Sequence, residues 1–400
     1  MAVASTCDVL IVGAGPAGTA AAWSLARAGL HVVMADQQSF PRDKVCGDAL
    51  IPDALGAIDT MGLRTIIDAE AFRLPELRVY APSGTYIALA GDFCCFPRAR
   101  FDELLVRTAC ESGATLLERM TAVAPLVHGD RVIGARFTSP SGNAEIRASM
   151  TLLATGANAT TMTAFGLDPP LKPNAVAGRA YFDVPDRLAS TFQHLCIAYE
   201  RSLCPGYGWI FPGPNRRFNM GVGFFSNGRR HLPSLRDLWT RFTSNFEPAA
   251  AILRESTQVA EFRGAPLRTG LAGKTFGRPG LLAVGESAAT TYAATGEGIG
   301  KAMESGLLAA RMVSDAVSSG RPPSEIHTAY EAEFRRRHGA RYRAYAIGQA
   351  CSSHPWLVNY LAWRANSGRF VQSELQGLVS ERGDARRLLS LRGLITSLFA

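Results

Sequence analysis

The stretch DVLIVGAGPAG, residues 8–18, decides the fold of the first part of the chain. Its apolar start predicts a buried parallel strand, and the alanine-rich run at 19–28 predicts a helix behind the glycines. A second apolar run at 31–35 predicts another strand, with Asp36 at its end. Strand, glycine turn, helix, strand and terminal acid together make a complete βαβ unit of the kind that binds a dinucleotide.

The glycines of this turn each have a task that requires a residue without a side chain. Gly13 permits the tight turn, Gly15 lets the backbone approach a pyrophosphate, and Gly18 lets the helix pack on the strand. The start of the predicted helix offers free N–H groups and the positive end of the helix dipole to the phosphates, and Ala17, just before it, is expected to contact the cofactor. Asp36 stands where an acid holds a ribose hydroxyl. A glycine turn without a ligand is the alternative, which the complete unit disfavours.

The composition indicates a globular protein with more than one structural unit. The 400 residues exceed one compact core, and 47% of them are hydrophobic. The net charge of +8 comes almost entirely from arginine, since lysine occurs only at positions 44, 172, 274 and 301. The sequence contains no long block of like charges and no nucleic-acid motif, so we expect no nucleic-acid partner.

The cysteines and the amino-terminal sequence bear on compartment and metal binding. The eight cysteines are scattered, without a CxxC pair or the ligand spacing of a zinc site, so no metal is expected. The first residues lack the basic segment of a signal peptide, and no apolar run reaches the roughly 18 residues that cross a bilayer. These features predict mostly free thiols and a cytoplasmic location.

A loop with two cations and a thiol follows the second strand. The string FPRDKVCG, residues 40–47, contains Arg42, Lys44, Cys46 and Gly47. The proline at its start forbids a continuing strand, so the loop leaves the carboxyl edge of the sheet, where ligands bind in open α/β sheets. Cys46 is either a reactive thiol or a small buried side chain, and the residues alone leave both interpretations open.

This loop carries the first resemblance to a known family. A P-R-x-K-x-C-G string behind a GxGxxG unit resembles the geranylgeranyl reductases, which belong to the flavoproteins shaped like para-hydroxybenzoate hydroxylase. The resemblance extends over residues 8–336. It implies that the βαβ unit binds the ADP half of FAD and that Arg42, Lys44, Cys46 and Gly47 lie at the cofactor.

Two further strings extend this resemblance. R-x-x-F-D at 98–102 leads into a helix predicted at 103–111, and it implies that Arg98 contacts the ribityl and phosphate region of FAD. A strand that ends in Ala154, Thr155 and Gly156 resembles the segment that returns under the adenosine of FAD. Each string alone is a weaker signal than the glycine turn.

A second strong signature combines AVGESAA at 283–289 with ATGEGIG at 294–300. It resembles the family's other FAD contact, in which an acid binds a ribityl hydroxyl and a helix start faces the flavin. The resemblance implies that the cofactor meets five of these residues: Gly285, Glu286, Gly296, Gly298 and Ile299. Two residues depart from the pattern, because Glu286 replaces the usual aspartate and Ala293 stands where proline is frequent. These departures imply either a looser ribityl contact or a different position of the flavin.

The aromatic residues Tyr207, Trp209 and Phe211 alternate along one predicted strand, which indicates a sheet with one apolar face. Ordinary sheet core is one interpretation of this pattern. The Y-x-W-x-F-P string also resembles the substrate cavity of geranylgeranyl reductases and implies that these side chains bind an apolar substrate. Part of the string resembles flavin halogenases, but those need an early lysine, and none occurs between Lys44 and Lys172. Halogenation is therefore disfavoured.

The whole pattern predicts an α/β fold with an α+β second layer. We expect a Rossmann-like FAD-binding domain with a βαβ start and a β-meander insertion, then a mixed β-sheet substrate domain and C-terminal helices. Short strands of the meander are predicted at 114–117, 121–127, 131–137 and 144–148, with a further strand from Met150. The expected units are a discontinuous FAD-binding domain at 1–75, 96–165 and 270–325, a substrate-binding sheet domain at 76–95 and 166–269, and a C-terminal helical region at 326–400.

The last part of the chain predicts helices at 323–343, 356–365 and 374–399. Trp356, Tyr360 and Trp363 form an aromatic stripe on the second of them. A helical cap on the substrate domain is one interpretation. The sharper one is a surface that touches a membrane or a long lipid, since Trp and Tyr favour such interfaces.

The resemblance implies an FAD-dependent reductase of carbon–carbon double bonds in a prenyl-like or polyunsaturated apolar substrate. Hydride would come from reduced flavin N5, and Cys46 is the candidate catalytic proton donor. The sequence has no second GxGxxG unit, so NAD(P)H would dock transiently, or a reduced ferredoxin or flavin reductase would supply electrons.

Two other functions stay open at this stage. A flavin-dependent monooxygenase that hydroxylates an aromatic or natural-product intermediate uses the same fold, so fold does not decide between them. A non-catalytic flavin-bound interaction protein is the second alternative. Turnover without oxygen distinguishes the reductase from the monooxygenase.

Overall fold

Two eight-stranded sheets form the frame of the protein, within the residues that the computed structural model describes: 6–167, 173–227, 233–271, 275–381, 383 and 387. The strands are β1 Thr6–Val12, β2 Val32–Ala35, β3 Ala49–Leu50, β4 Phe72–Tyr80, β5 Tyr86–Cys95, β6 Thr115–Leu117, β7 Thr121–His128, β8 Arg131–Ser139, β9 Gly142–Leu153, β10 Ala175–Asp183, β11 Leu195–Ala198, β12 Gly206–Phe211, β13 Arg217–Phe225, β14 Thr257–Leu267, β15 Gly277–Arg278 and β16 Leu281–Ala283.

Helices cover both sheets. They are α1 Pro16–Arg27, α2 Pro52–Thr60, α3 Arg64–Glu70, α4 Arg98–Glu111, α5 Ala159–Ala164, α6 Asp186–Ala189, α7 Leu235–Asn245, α8 Glu247–Glu255, α9 Ile299–Ser318, α10 His327–Ser352, α11 Pro355–Ser367 and α12 Arg369–Val379. A short 3-10 turn at Gly285–Ala288 follows β16. The predicted βαβ start is therefore present as β1, α1 and β2.

The first sheet has the strand order β15-β16-β9-β1-β2-β6, with β8 and β7 continuing from β9. β1 pairs in parallel with both β2 and β9, and residues 9–12 are buried in one cluster with side chains of α1 and α9 and of the strands β8 and β9. The proline at the start of α1 suits a first helical position, since its missing N–H has no partner there anyway. The Rossmann-like class expected from the sequence is confirmed.

Two strands of this sheet differ from the sequence expectation. The segments 144–148 and 150–153 form one strand, β9, which pairs antiparallel with β8 in its first half and parallel with β1 in its second. The meander consists of β7, β8 and the start of β9. β6, expected in the meander, instead pairs in parallel with β2 at the edge of the nucleotide-binding strands. In both strands, hydrogen bonding to strands that are distant in sequence determined the structure, and short sequence patterns do not contain that information.

The second sheet has the order β14-β10-β13-β12-β11-β4-β5-β3 and is mixed, because β11 and β4 are parallel while the other pairs are antiparallel. Its two faces bury different clusters. Ile210 of β12 packs with Phe242 of α7 on one face, whereas Tyr207 and Trp209 pack on the other face with residues of α11 and α12. The period-two alternation of a strand produces this division. The mixed-sheet second layer is confirmed, and the proposed division of the chain into three units stays a proposal.

The C-terminal region is helical as expected, with the long α10 followed by α11 and α12. α12 ends at Val379, and the predicted helix at 374–399 otherwise falls almost entirely outside the described residues. Ala362 and Ala365 of α11 and Val371 of α12 pack on the second sheet. This packing makes the helices a cover for the sheet face that carries Tyr207 and Trp209.

Candidate functional site

A cavity of about 480 Å³ lies between the two sheets, a volume typical of a small-molecule site. The predicted site residues that line it are Gly13, Gly15, Ala17, Asp36, Arg42, Lys44, Cys46, Gly47, Arg98, Ala154, Thr155, Gly156, Tyr207, Trp209, Phe211, Glu286, Gly296, Gly298 and Ile299. Gly18 and Gly285 stand directly behind this lining. The structure thus brings together residues that are up to 286 positions apart in the chain, from Gly13 to Ile299.

The first glycine turn is shaped by backbone packing. A Cβ on Gly13, whose φ is +102°, would lie 2.4 Å from the Ala154 carbonyl oxygen. A Cβ on Gly18 would lie 2.0 Å from the Gly13 carbonyl oxygen, so neither position accepts a side chain. At Gly15 the nearest atom would be the Arg42 guanidinium at 3.5 Å, which leaves open space on the cavity side. Gly13 and Gly18 therefore build the turn, whereas Gly15 keeps the cavity accessible to a ligand.

Asp36 braces this turn and also faces the cavity. Its carboxylate is buried and accepts hydrogen bonds from the backbone N–H groups of Ala14 and Gln38, both at 2.8 Å. α1 starts beside it, and no side chain of the described residues caps its first turn. The free N–H groups at this helix start suit a phosphate. The proposed contact of Asp36 with a ribose hydroxyl stays a prediction.

Asp102, the acid of the R-x-x-F-D string, to which the sequence analysis assigned no role, holds the cationic loop and α4 together. It is fully buried and accepts two hydrogen bonds, both 2.8 Å, from the Arg98 guanidinium. Arg42 of the loop lies 3.2 Å from the same carboxylate. α4 begins at Arg98, and Asp102 follows one helical turn later, so the i,i+4 spacing aligns the pair. Asp102 thus fixes two guanidinium groups in the cavity wall.

The loop carrying Cys46 is tied to the second sheet by Asp48, which the sequence analysis also missed. Asp48 is 2% exposed and has a φ of +66°, in the left-handed region that Asp tolerates. Its carboxylate accepts hydrogen bonds from the Tyr181 hydroxyl at 2.6 Å and the Asn219 amide at 2.8 Å. The Asn219 amide also donates to the Cys46 carbonyl at 2.7 Å, while its oxygen accepts from Trp209 Nε1 at 2.9 Å. Asn219 therefore links the thiol loop to the aromatic strand.

The Cys46 thiol is partly buried in the cavity wall. Burial raises the pKa of the Cys46 thiol above its ordinary value, although the charge of nearby Arg98 acts in the opposite direction. The Asp48 backbone N–H lies 3.4 Å from Cys46 Sγ. The thiol consequently stays protonated at neutral pH, which suits a proton donor better than a nucleophile. The catalytic role of Cys46 stays a prediction.

The second glycine signature lies opposite the first. Gly285 has a φ of +63°, and a Cβ there would lie 2.8 Å from the Ala17 methyl group of α1. Glu286 accepts a hydrogen bond from the backbone N–H of Arg268 at 3.1 Å. Burial raises the pKa of the Glu286 carboxyl, and the charge of Lys44 opposes this shift. This packing brings the two signatures to the same cavity.

The turn before α9 meets the aromatic strand. Gly296 has a φ of +71°, and a Cβ there would lie 2.9 Å from the Tyr207 hydroxyl, which itself donates a hydrogen bond to the Thr295 carbonyl. α9 starts at Ile299 behind Gly298, with no side-chain cap among the described residues. The turn before α9, which the resemblance assigns to the flavin, is therefore in direct contact with β12, the strand that carries Tyr207.

Tyr207, Trp209 and Phe211 form an apolar wall at the other end of the cavity. Neighbouring ring centroids are 6.2 Å apart for both Tyr207–Trp209 and Trp209–Phe211, within the range of favourable aromatic contacts. Further apolar side chains extend this wall: Leu77, Leu195, Ile197, Phe225 and Leu267. We call these eight residues the aromatic wall. Such a surface suits a long apolar molecule rather than a charged one.

The polar end of the cavity fits FAD. Gly15 leaves the backbone of α1 open to a phosphate, and Arg42 Nε is buried without a hydrogen-bond partner among the described residues. A buried donor of this kind is costly unless a ligand completes it. Opposite it, the start of α9 presents further free N–H groups. We infer that these groups and the two glycine turns hold the phosphates and the flavin.

Comparison with known proteins identifies related sequences and folds. A family profile described as FAD binding domain matches residues 6–343. The digeranylgeranylglycerophospholipid reductase of Methanoculleus marisnigri is 30% identical over 339 residues, covering 82% of this chain and 81% of that protein. The menaquinone reductase of Mycobacterium tuberculosis is 32% identical over 336 residues, covering 78% of each chain.

Solved structures show the same fold. A geranylgeranyl bacteriochlorophyll reductase-like protein from Thermoplasma acidophilum aligns with a TM-score of 0.79 and 21% identity, covering 99% of this chain and 96% of that one. A flavin-dependent brominase aligns with a TM-score of 0.78 and 18% identity, covering 98% and 97%. At these identities the likeness concerns the fold alone. None of the helices in the described residues has the length and apolar character to span a bilayer.

Proposed function

The chain belongs to the FAD-binding-domain family that includes these reductases, and on that premise we propose that it reduces carbon–carbon double bonds in a prenyl-like or polyunsaturated apolar substrate. The protein is an FAD-dependent oxidoreductase. One observation carries the proposal: the glycine turns and the aromatic wall border the same cavity, and Tyr207 bonds to the carbonyl of Thr295 where they meet. An apolar chain on this wall would lie beside the flavin turn.

The polar end of the cavity binds and orients the cofactor. The N–H groups at the start of α1 receive the phosphates, with the helix dipole favouring their negative charge. Arg42 and Arg98, both fixed by Asp102, add cations whose positions do not depend on the ligand. FAD bound there would, once reduced, supply the hydride for the substrate.

The aromatic wall orients the substrate and excludes water. Each buried methylene of an apolar chain contributes about 0.8 kcal/mol, so several isoprene-like units along the wall provide substantial affinity without a polar contact. The Trp209 indole is held in place by its bond to Asn219, and the Tyr207 hydroxyl by its bond to the Thr295 carbonyl. Because both groups already have hydrogen-bond partners within the protein, an apolar substrate does not have to provide one.

Reduction of a double bond also needs a proton at the second carbon. The Cys46 thiol lies in the cavity wall and is kept protonated by burial, so we assign it as the proton donor. The bond from Asn219 to the Cys46 carbonyl holds the loop against the aromatic wall. The thiol is thereby presented to the end of the cavity where the substrate lies.

The electron donor and the route of the substrate are further parts of the proposal. With a single GxGxxG unit in the sequence, NAD(P)H docking transiently, or a reduced ferredoxin or flavin reductase, would supply the electrons. For the substrate route we propose a peripheral membrane contact of a cytoplasmic protein. Trp356 and Trp363 of α11 are 67% and 58% exposed, while Ala362 on the same helix packs against the aromatic wall. A lipid-borne substrate would then enter close to its binding surface.

The proposal is tested by turnover without oxygen. The FAD-loaded protein, reduced with dithionite in an anaerobic chamber, is mixed with geranylgeraniol or a prenylated quinone, and the product is analysed by mass spectrometry. We expect a product heavier by two hydrogens for each double bond reduced. A Cys46→Ala variant should slow product formation by roughly 100-fold, whereas Cys7→Ala, at the start of β1, should not.

Two results would contradict the proposal. Product that forms only when oxygen is admitted, and that has gained an oxygen atom, would identify a monooxygenase. A reduced, FAD-loaded protein that reacts neither with alkenes nor with oxygen would favour a non-catalytic flavin-bound protein.

A further inference from the structure

A buried carboxyl, Asp53, forms a shared boundary between the cavity and a second pocket. Asp53 lies in the first turn of α2, is almost fully buried and lines the cavity. It also lines a surface pocket of about 330 Å³, together with Gly56, Thr60, Glu304 and Glu381. Asp53 therefore borders the cavity on one side and the surface pocket on the other.

A buried lysine connects Asp53 to the carboxylates of that surface pocket. Lys301 is 2% exposed, and its Nζ atom lies 3.5 Å from Asp53 Oδ2, 2.8 Å from Glu304 Oε2 and 3.3 Å from Glu381 Oε2. Glu381 also pairs with Arg341 of α10. These contacts form a continuous chain of ionisable groups between the pocket and the cavity.

The backbone of α9 is adapted to the Asp53 carboxyl. A Cβ on Gly300, in the first turn of α9, would lie 2.2 Å from Asp53 Cγ. Any side chain at position 300 would therefore displace the carboxyl from the cavity boundary. Glu297 lies in the turn just before this helix and lines the cavity. Both acids therefore line the cavity close to the start of α9.

The cluster contains more acids than bases. Four carboxyl groups, those of Asp53, Glu297, Glu304 and Glu381, face the cations of Lys301 and Arg341. The other groups around Asp53 and Glu297 are His338, Tyr342 and Tyr345 of α10, Tyr292 before the turn and Tyr199 after β11. Burial lowers the pKa of His338 to about 4, and burial raises the pKa of each of these tyrosines, so none of them adds a charge at neutral pH.

Glu297, the acid in the turn before α9, is expected to keep its proton at neutral pH. Burial, reinforced by the charge of Asp53, raises the pKa of Glu297 to about 8. Burial also raises the pKa of Asp53, although Lys301 acts in the opposite direction. At neutral pH we therefore expect a neutral carboxyl group at the cavity end of the cluster.

We propose that Glu297, Asp53 and Lys301 form a proton path from the surface pocket to the cavity. The path rests on the proposed function, because each double-bond reduction adds a hydride to one carbon and a proton to the other. The hydride brings both electrons from reduced FAD, which the external electron donor re-reduces. The proton that leaves the cavity with the product is replaced from Glu297 and then from Asp53, and Lys301 passes a proton on to Asp53 from solvent at Glu304 and Glu381.

Infrared spectroscopy of the protein without FAD tests the cavity end of the path. We expect the carbonyl stretch of a protonated carboxyl group at pH 7, and its disappearance as the pH rises through about 8. The Glu297→Gln variant should lack this band, and the matched control Asp237→Asn, an exposed acid on α7, should retain it. An unchanged band in Glu297→Gln, or no band in the unaltered protein, would overturn the proposal.

Steady-state turnover tests the surface end. We expect Asp53→Asn to slow repeated turnover at least about 10-fold and to leave FAD affinity within twofold, with formate or azide restoring the rate by carrying the proton. A variant as fast as the unaltered protein, or one that small acids do not restore, would contradict a proton path. If Asp53→Asn does not fold, the infrared spectra of the unaltered protein and of Glu297→Gln still support or overturn the proton path. Absence of any product from the unaltered protein would instead count against the proposed function, and the infrared arm does not depend on it.

Discussion

The two ends of the cavity are built in different ways. The cofactor end consists of backbone: Gly13 and Gly18 are packed so closely that a Cβ would meet a carbonyl oxygen at 2.4 and 2.0 Å. The substrate end consists of side chains, with Tyr207 and Trp209 on alternate positions of one strand. A backbone surface tolerates almost no substitution, whereas a side-chain surface is reshaped by single exchanges. We infer that the cofactor is fixed by the fold and that the substrate is chosen by a few residues of the aromatic wall.

The largest effect is expected at Asp102, the buried acid of the cofactor end. Asp102→Ala leaves the Arg98 and Arg42 guanidinium groups without their buried partner, so we expect the free energy of unfolding to fall by about 3–5 kcal/mol. Glu103→Ala on the same helix removes an exposed ion pair with Arg100 and should change stability by less than about 1 kcal/mol. Denaturant unfolding measures both. Equal effects of the two substitutions would show that Asp102 does not stabilise the fold through its pairing with Arg98 and Arg42.

The next effect concerns the backbone end. Gly18→Ala places a methyl group on the Gly13 carbonyl, and we expect a loss of about 3 kcal/mol in the free energy of unfolding together with loss of FAD binding. Gly348→Ala in α10, where a Cβ meets nothing within 4 Å, should be neutral or stabilising by up to about 1 kcal/mol. Normal FAD binding by Gly18→Ala would show that this end does not depend on backbone packing.

A smaller and more selective effect is expected at Gly15. Because a Cβ there fits the protein itself, Gly15→Ala should leave the melting temperature of the FAD-free protein nearly unchanged. The added methyl group projects toward the space where we place the phosphates, so FAD affinity should fall by at least about 10-fold, or about 1.4 kcal/mol. Calorimetric titration with FAD measures this change. Unaltered affinity would place the phosphates elsewhere.

The smallest effect tests the aromatic end. Trp209→Phe keeps an aromatic ring but removes the hydrogen bond to Asn219, so we expect a stability loss of about 1 kcal/mol and a higher KM for the apolar substrate. Trp239→Phe on α7, which packs on the opposite face of the second sheet, should leave the KM unchanged. FAD affinity should not change in either variant. A change in FAD affinity with an unaltered KM would assign Trp209 to the cofactor end.

The sequence predicted the cofactor end better than the rest because its requirements are local. Gly13, Gly15 and Gly18 stand in one string, and the turn that they form is encoded by their spacing. Asp102 ends the R-x-x-F-D string, but the resemblance assigned a role only to Arg98, and Asp48 and Asp53 had no signal of this kind. Each is an ordinary acid in its own segment, and its importance arises from partners elsewhere in the chain, such as Asn219 for Asp48 and Lys301 for Asp53.

The strands show the same limit. The segments around 144–148 and 150–153 look like two strands because their pairing partners differ, whereas the backbone runs through both as β9. The helix at α4 begins at Arg98 rather than at residue 103, since the arginine pairs with Asp102 one turn later. Pairing and burial across the fold, which no short string contains, decided these details.

The most direct test of the shared cavity is a crystal structure of the protein with FAD and a bound prenyl chain, such as geranylgeraniol. We expect the phosphates at the start of α1, the flavin beside the turn at Gly296, and the prenyl chain along Tyr207 and Trp209. A flavin bound outside this cavity, or a prenyl chain bound away from the aromatic wall, would contradict the central claim that both ends serve one reaction.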